Sequence, residues 1–251
     1  MSAGTPGLFV TGSDTGVGKT FVSCGLLALW RQQGLTPEPR KPVESGCPLR
    51  AGEYFPEDGA ALAAAAGLPP AAVATVTPWR FPDALAPDQA AANQGVSLTV
   101  ADLAGVCAAD GDGPLLVEGA GGFYSPLCSD GLNADLAEAL ALPVLLVAED
   151  RLGVLNTCLL TLEALARRGL ALAGIVLNRR RADADPRLNN AAALAARTPA
   201  PILCLPEGIG QAELVQKLST WNSSICSPPS PGATSSSGWS VGATAASSAR
   251  R

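Results

Sequence analysis

Short apolar runs alternate with segments of helical periodicity along most of the chain. The apolar runs predict buried strands at about 7–11, 114–118, 143–148, 172–177 and 202–206, with one more short strand ending just before Pro42. Apolar residues at helical spacing predict helices at about 19–33, 58–66, 99–109, 133–141, 151–168, 187–197 and 210–218, and a shorter one from residue 86. This alternation predicts an α/β fold: a single domain whose parallel twisted sheet has helices on both faces.

Two regions interrupt this pattern, and a third follows it. Residues 47–56 are expected to form a loop, and the proline-rich region 69–98 is expected to be irregular apart from its short helix. From Trp221 onwards Ser, Pro, Gly and Ala dominate, so we expect a domain over 1–220 and a disordered tail over 221–251. An ordered strap across the domain remains the alternative for the tail.

The composition excludes several classes of partner and chemistry. Of the 251 residues, 47% are hydrophobic, which suffices for a large core, while the net charge of -5 argues against a nucleic-acid or anionic-membrane surface. No apolar run is long enough for a membrane span, and the first strand begins too early to leave room for a signal peptide. The seven cysteines form no C-x-x-C pair and are expected to be reduced thiols, so we expect a cytoplasmic protein.

The chain contains no histidine. This excludes the commonest general base, a Ser/His/Asp triad and any histidine metal site. Lysines, carboxylates, hydroxyls, backbone amides and a hard metal ion must therefore carry any chemistry.

The stretch from Gly12 to Thr20, Gly-Ser-Asp-Thr-Gly-Val-Gly-Lys-Thr, lies between the first strand and the first helix. This is the context of a phosphate-binding loop, in which small residues let backbone N–H groups and a helix N-terminus surround one anion. Lys19 is then expected to reach the β- and γ-phosphates, and the hydroxyl of Thr20 to bind Mg²⁺. The first glycine lies one position earlier than in the usual pattern, with Ser13 in its place. A glycine-rich turn closing an ordinary βα unit is the alternative.

Other polar residues are predicted at the carboxyl ends of strands, where open α/β sheets bind ligands. Lys41 follows the short second strand, and Glu118 ends an apolar strand just before the glycine-rich turn 119–122. A solvated lysine is the alternative for Lys41, and an ordinary helix cap is the alternative for Asp58. Glu118 is harder to explain without a ligand, because carboxylates in apolar surroundings are rarely unpaired. The run 179–181, three arginines, favours a solvated turn over an anion site.

These motifs together resemble the dethiobiotin synthetase family over about residues 7–215. The resemblance rests on Thr-Gly-Ser-Asp-Thr-Gly-Val-Gly-Lys-Thr, Lys-Pro-Val-Glu-Ser-Gly, Val-Glu-Gly-Ala-Gly-Gly and Leu-Asn, in this order and spacing. It implies a P-loop NTPase-like fold and a homodimer that uses ATP and Mg²⁺ to close a ureido ring. One amino group of 7,8-diaminononanoate takes up CO2 as a carbamate, ATP phosphorylates the carbamate, and the second amine displaces phosphate.

The resemblance also implies a role for individual residues. The catalytic residues would be Lys19, Lys41 and Thr15, and the Mg²⁺ ligands would be Thr20, Asp58 and Glu118. The residues expected at ATP are Gly16, Val17, Gly18, Lys19, Thr20, Phe21, Asp58, Glu118, Gly119, Ala120, Gly121, Asn178, Arg179, Leu205, Pro206 and Glu207. Those expected at the diamine are Ser45, Gly122, Gly153 and Asn156, with the turn 152–156 receiving the substrate carboxylate across the dimer interface.

The chain departs from the family in carrying Asp88 where a histidine is frequent, and in its tail beyond residue 220. Three other classes of protein fit the sequence less well. A partitioning-type ATPase switch usually has an extra lysine early in the loop, which Gly12-Ser13-Asp14 lacks. An amidoligase of the cobyrinate synthetase type needs a glutaminase domain with a histidine, for which the chain is too short. An inactive binding module disagrees with an intact Lys19, Thr20 and Glu118.

Overall fold

A six-stranded parallel sheet forms the centre of the molecule in the computed structural model, which describes residues 7–180, 185 and 187–221. The strand order is β12-β11-β10-β1-β7-β2, and every neighbouring pair is parallel. These strands are β1 (Gly7–Gly12), β2 (Glu38–Arg40), β7 (Leu115–Gly122), β10 (Val144–Glu149), β11 (Leu172–Asn178) and β12 (Ile202–Leu205). The expected single-domain α/β fold is confirmed.

Helices cover both faces of the sheet. They are α1 (Lys19–Gln32), α2 (Glu57–Ala65), α3 (Val73–Val76), α4 (Pro87–Asn93), α5 (Val100–Val106), α6 (Asn133–Leu140), α7 (Val154–Arg167), α8 (Asn190–Ala195) and α9 (Gln211–Trp221), with a 3-10 turn at Pro70–Ala72. Side chains alternate across each strand, so Phe9 and Val10 enter different cores although both are fully buried. One core packs α1, α2 and α9 against the sheet, and the other packs α4 to α8.

Three small sheets lie outside the central one. They pair β3 (Val43–Ser45) with β6 (Trp79–Phe81), β4 (Leu49–Arg50) with β5 (Glu53–Tyr54), and β8 (Pro126–Cys128) with β9 (Gly131–Leu132). The expectation of a loop over 47–56 is therefore wrong in part, since a two-stranded hairpin lies there. Strands of two or three residues show no recognisable periodicity, which is why the sequence does not predict them.

The last helix extends to Trp221, three residues beyond its expected end. Trp221 packs against the core between the sheet and α1, near Leu214 and Leu218. It therefore belongs to the domain rather than to the tail, and the remainder of the predicted tail, 222–251, lies outside the described residues. Among the residues that the structure describes, no helix is both long and apolar enough to span a bilayer.

Candidate nucleotide and substrate site

The phosphate-binding loop connects the carboxyl end of β1 to the amino end of α1 at the middle of the sheet. Gly16 and Gly18 have φ values of 72° and 98°, in the left-handed region that favours glycine. Gly18 is also the residue before α1, and a Cβ there would collide with the side-chain amide of Asn178. This close approach explains why a glycine is needed directly before Lys19.

Lys41 lies between two carboxylates at the carboxyl end of β2. Its Nζ donates to Oδ2 of Asp58 and to Oε1 of Glu118, each at 2.7 Å. Glu118 is fully buried and accepts two more hydrogen bonds, from Thr20 Oγ1 at 2.8 Å and from Ser23 Oγ at 2.7 Å. The residues predicted to hold Mg²⁺ therefore lie within one connected network, with the second lysine at its centre.

The two lysines have different electrostatic environments. Burial and, next, the nearby charge of Lys41 lower the pKa of Lys19 to about 8, although Glu118 and Asp58 act in the opposite direction. Burial acts in the same direction on Lys41, but its two carboxylate partners raise its pKa above the ordinary value. The Nζ of Lys19 contacts only the carbonyl oxygen of Asp14, at 3.5 Å, among the hydrogen bonds of the described residues. Lys41 is thus firmly cationic, whereas Lys19 is a buried cation without a carboxylate bonded to it.

Glu44, from β3, holds the start of α2 in place. Its carboxylate accepts hydrogen bonds from the backbone N–H groups of Asp58 at 3.0 Å and Gly59 at 2.9 Å. Pro56, at the N-cap position of α2, offers no side-chain acceptor, so Glu44 takes over the usual role of a cap. Burial raises the pKa of Glu44, while Lys41 and the two N–H groups act against this increase. Through this contact, Glu44 fixes the backbone of Asp58 beside Lys41.

A cavity of about 640 Å³ opens above the loop and the carboxyl ends of the strands. It is lined by Thr15, Gly16, Gly18, Lys19, Thr20, Phe21, Lys41, Glu44, Ser45, Asp58, Ala120, Gly121, Asn178, Arg179, Arg180, Pro206, Gly208 and Ile209. Most of the predicted site residues are therefore brought together around one space. Its volume falls within the range of ordinary ligand pockets.

Asn178 and the two arginines after it form the side of this cavity near β11 and β12. Asn178 donates from Nδ2 to the carbonyl oxygen of Val17 at 3.0 Å, which ties the end of β11 to the loop. Arg179 pairs with Asp150 at 2.9 Å, and Arg180 donates to the carbonyl oxygen of Gly16. Arg180 is exposed, in agreement with the expected solvated turn, whereas Arg179 is half-buried beside Asp150, directly after β10. The third arginine of this run lies outside the described residues.

Several other predicted residues lie beside the cavity. Val17 and Leu205 are buried in the core, and Glu207 is exposed just after β12. Gly119 lies against Asn133, and a Cβ at Gly119 would be 2.5 Å from Oδ1 of that residue. Glu118 reaches the site through its hydrogen bonds to Lys41 and Thr20 rather than as a wall of the cavity.

A second cavity, of about 700 Å³, lies between the turn after β7 and the surface of α7. It is lined by Ser13, Asp14, Gly122, Phe123, Tyr124, Ser125, Pro126, Thr157, Leu160, Thr161, Glu163, Ala164 and Arg167. Gly122, predicted at the diamine, lies here, whereas Ser45 lines the first cavity and donates to the carbonyl oxygen of Leu85 at 2.6 Å. Gly153 and Asn156 lie at the start of α7, both exposed and away from the walls of these two cavities.

Sequence reasoning did not identify four residues of this region as functional: Ser23, Glu44, Asn133 and Arg180. A signal existed for Ser23, which lies three positions after Thr20 and so on the same face of α1. Glu44 stands inside the quoted motif Lys-Pro-Val-Glu-Ser-Gly, but nothing in the sequence indicates that it bonds to α2. Asn133 begins a helix, and its contacts with the turn after β7 depend on the fold.

The fold and the cavity together define the class of this protein. A glycine-rich loop after the central strand β1, beside an acid on the neighbouring β7, is the arrangement of P-loop nucleotide-binding domains. In agreement, residues 6–208 match the family described as an AAA domain.

Similarity to individual proteins narrows this class. The chain is 45% identical over 205 residues to the ATP-dependent dethiobiotin synthetase of Anaeromyxobacter dehalogenans strain 2CP-C, covering 80% of this chain and 89% of that protein. It is 39% identical over 211 residues to the ATP-dependent dethiobiotin synthetase of Methylobacterium nodulans, covering 81% and 94%. Among solved structures, the signal recognition particle receptor FtsY of Elizabethkingia anophelis has a TM-score of 0.42 and 15% identity, covering 85% of this chain and 65% of that one. On the evidence of the synthetases, the chain belongs to the dethiobiotin synthetase family, as its motifs indicate.

Proposed function

We propose that this protein is an ATP-dependent dethiobiotin synthetase of biotin biosynthesis. In the proposed reaction, one amine of 7,8-diaminononanoate forms an N–C bond with CO2 and loses a proton, which gives a carbamate. A carbamate oxygen then attacks the γ-phosphorus of ATP, and ADP leaves. The second amine attacks the carbonyl carbon of the resulting mixed anhydride and loses a proton, phosphate leaves, and the ureido ring closes. The observation that carries this proposal is the convergence of two buried lysines and two carboxylates on one cavity beside the phosphate-binding loop, in a chain of this family.

The lysines and the loop supply the positive charge that phosphoryl transfer requires. Lys19 binds the β- and γ-phosphates, and Lys41 neutralises the carbamate and the transferring phosphoryl group, with Thr15 beside them. Positioned charge is the main demand of such a transfer, so two lysines suffice without a histidine. Residues 16–21 hold the triphosphate, and the adenine binds between Asn178, Arg179 and Pro206, with Leu205 and Glu207 adjoining.

The oxygens of Thr20, Asp58 and Glu118 have the right chemistry for Mg²⁺. Carboxylate and hydroxyl oxygens are hard ligands of the kind that Mg²⁺ prefers. Two carboxylates and one hydroxyl leave room for phosphate oxygens and water, which Mg²⁺ retains in such sites. When bound, Mg²⁺ would neutralise charge on the phosphate oxygens during transfer.

The diamine is proposed to bind across the turn 119–122, with Ser45 at its amino end. Its carboxylate is assigned to the start of α7 in a second copy of the chain, near Gly153 and Asn156, where the helix dipole favours an anion. Both residues are exposed, as a contact across a homodimer requires. A homodimer would have twice the chain mass of 25.2 kDa by light scattering, and a fully active monomer would contradict this assignment.

The absence of disulfides among the described cysteines is compatible with a cytoplasmic location.

Phosphate release tests the proposal directly. We expect ATP hydrolysis by the protein alone to be slow, because the carboxylates that line the cavity are engaged elsewhere: Asp58 is bonded to Lys41, and Glu44 caps α2. Release should rise only when diaminononanoate and CO2 are both present, and mass spectrometry should then detect dethiobiotin. Rapid turnover without the diamine would instead indicate an ATPase switch and would refute the synthetase assignment.

A further inference from the structure

Asn133 is the buried residue that organises the turn 120–125, which comprises the last residues of β7 and those directly after it. Its side chain is fully buried at the first position of α6. The Oδ1 atom accepts from the backbone N–H of Ala120 at 2.9 Å, and Nδ2 donates to the carbonyl oxygens of Ala120 at 2.6 Å, Gly122 at 3.1 Å and Ser125 at 3.2 Å. One side chain therefore fixes three residues of the turn.

Two further contacts close the turn on itself. The hydroxyl of Ser125 accepts from the N–H of Gly122 at 2.8 Å, and the backbone N–H of Ser125 donates to the carbonyl oxygen of Gly122 at 3.0 Å. Gly121 has a φ of 77°, a backbone conformation that residues other than glycine rarely adopt. Asn133 therefore supplies most of the side-chain hydrogen bonds that hold this turn, and Ser125 supplies one more.

This turn is the partition between the two cavities. Ala120 and Gly121 line the nucleotide cavity, whereas Gly122 and Ser125 line the cavity against α7. Movement of the turn would change the shape of both, but the nucleotide has separate anchors in the loop at 12–20 and at Asn178. A substrate that lies across this turn has no comparable anchor on the side of the cavity against α7.

We propose that Asn133 is a positioning residue for the diamine: it holds the turn 120–125 in the shape that the substrate requires, without touching the substrate itself. This inference rests on the proposed function, because it takes the diamine to bind across this turn. Removing the amide should therefore weaken diamine binding more than ATP binding. If Asn133 served stability alone, its replacement would change neither the affinity for the diamine nor the affinity for ATP.

The test uses Asn133→Asp, which keeps the size of the side chain but replaces the donor with an acceptor facing three carbonyl oxygens. Asn133→Ser, which buries no charge, serves as the second variant and decides the question if the first does not fold. The matched control is Thr99→Ala. Thr99 caps α5 through Asp102 and lies outside the walls of both cavities, so this change lowers stability without altering the turn.

Steady-state phosphate release gives kcat and the KM for the diamine, and calorimetry gives the Kd for ATP without diamine. We expect a rise of about tenfold in the diamine KM for the Asn133 variants, the scale of one or two lost hydrogen bonds, and less than about threefold in the ATP Kd. Thr99→Ala should lower the melting temperature and leave both constants unchanged.

Two results would overturn the inference while leaving the proposed function intact: a diamine KM unchanged in folded Asn133 variants, or an ATP Kd that rises as much as the diamine KM. Wild-type protein without diamine-dependent phosphate release would refute the proposed function itself, and this inference with it. The wild-type assay thus separates the two failures.

Discussion

At the scale of single residues, the burial and the carboxylate partners of Lys41 are the clearest indication of its role in the site. It is almost fully buried and bonded to both Asp58 and Glu118, so the sequence-based alternative of a solvated lysine is wrong. The sequence places Lys41 after a strand, but it cannot reveal that Glu118, 77 positions later, is its partner. Contacts between strands that are distant in sequence depend on strand order, which no local pattern records.

Replacing Lys41 and Lys19 by methionine should separate their roles. Lys41→Met should lower kcat by about a hundredfold or more, the scale of one lost electrostatic donor, and change the ATP affinity much less. Lys19→Met should reduce both, because Lys19 belongs to the loop itself. Turnover is measured by phosphate release and affinity by calorimetry. Lys217→Met, on α9, is the control and should leave both unchanged.

Lys41→Met should also destabilise the protein when no ligand is bound. It leaves the buried carboxylate of Glu118 without a cationic partner, and breaking a buried ion pair in this way costs about 3–5 kcal/mol. The melting temperature of Lys41→Met should therefore fall, and Glu118→Gln in the same chain should restore part of it. A stable Lys41→Met variant with normal turnover would remove Lys41 from the mechanism.

At the scale of elements, the long helices and the buried strands follow from periodicity, because their apolar positions recur over several turns or residues. The start of α2 does not. The sequence suggests Asp58 as a possible cap, yet the cap comes from Glu44 on the small strand β3, which the sequence does not predict. Short strands that are stabilised by contacts elsewhere in the fold carry too little local signal.

The cap supplied by Glu44 can be measured. Glu44→Ala leaves the N–H groups of Asp58 and Gly59 without their acceptor and should lower the free energy of unfolding by about 0.5–2 kcal/mol, as for other lost caps. Chemical denaturation of ligand-free protein measures this. Glu57→Ala is the matched control: Glu57 is an exposed acid in the first turn of α2 itself, and its removal should change stability by less than about 0.5 kcal/mol. Equal effects of the two changes would show that Glu44 does not act as a cap.

At the scale of the whole molecule, alternation of strands and helices predicts a parallel sheet, but not that β1 lies between β10 and β7. This order brings the loop, Lys41, Glu118 and Asn178 to one edge of the sheet, as open α/β sheets require of their ligand sites. The end of the last helix is harder to predict, because Trp221 stands where serine and proline begin to dominate. One aromatic residue cannot show by itself that it packs on a core.

Two truncations test where the domain ends. A chain ending at Trp221 should keep the melting temperature and turnover of the full protein, because the segment after it has too few apolar residues to bury a large surface. A chain ending at Ser219 should melt several degrees lower, since it loses Trp221, which packs beside Leu214 and Leu218 against the core. Calorimetry compares the three chains under one condition. A lower melting temperature for the chain ending at Trp221 would favour the ordered strap, whereas equal values for both truncations would show that Trp221 contributes little to the core.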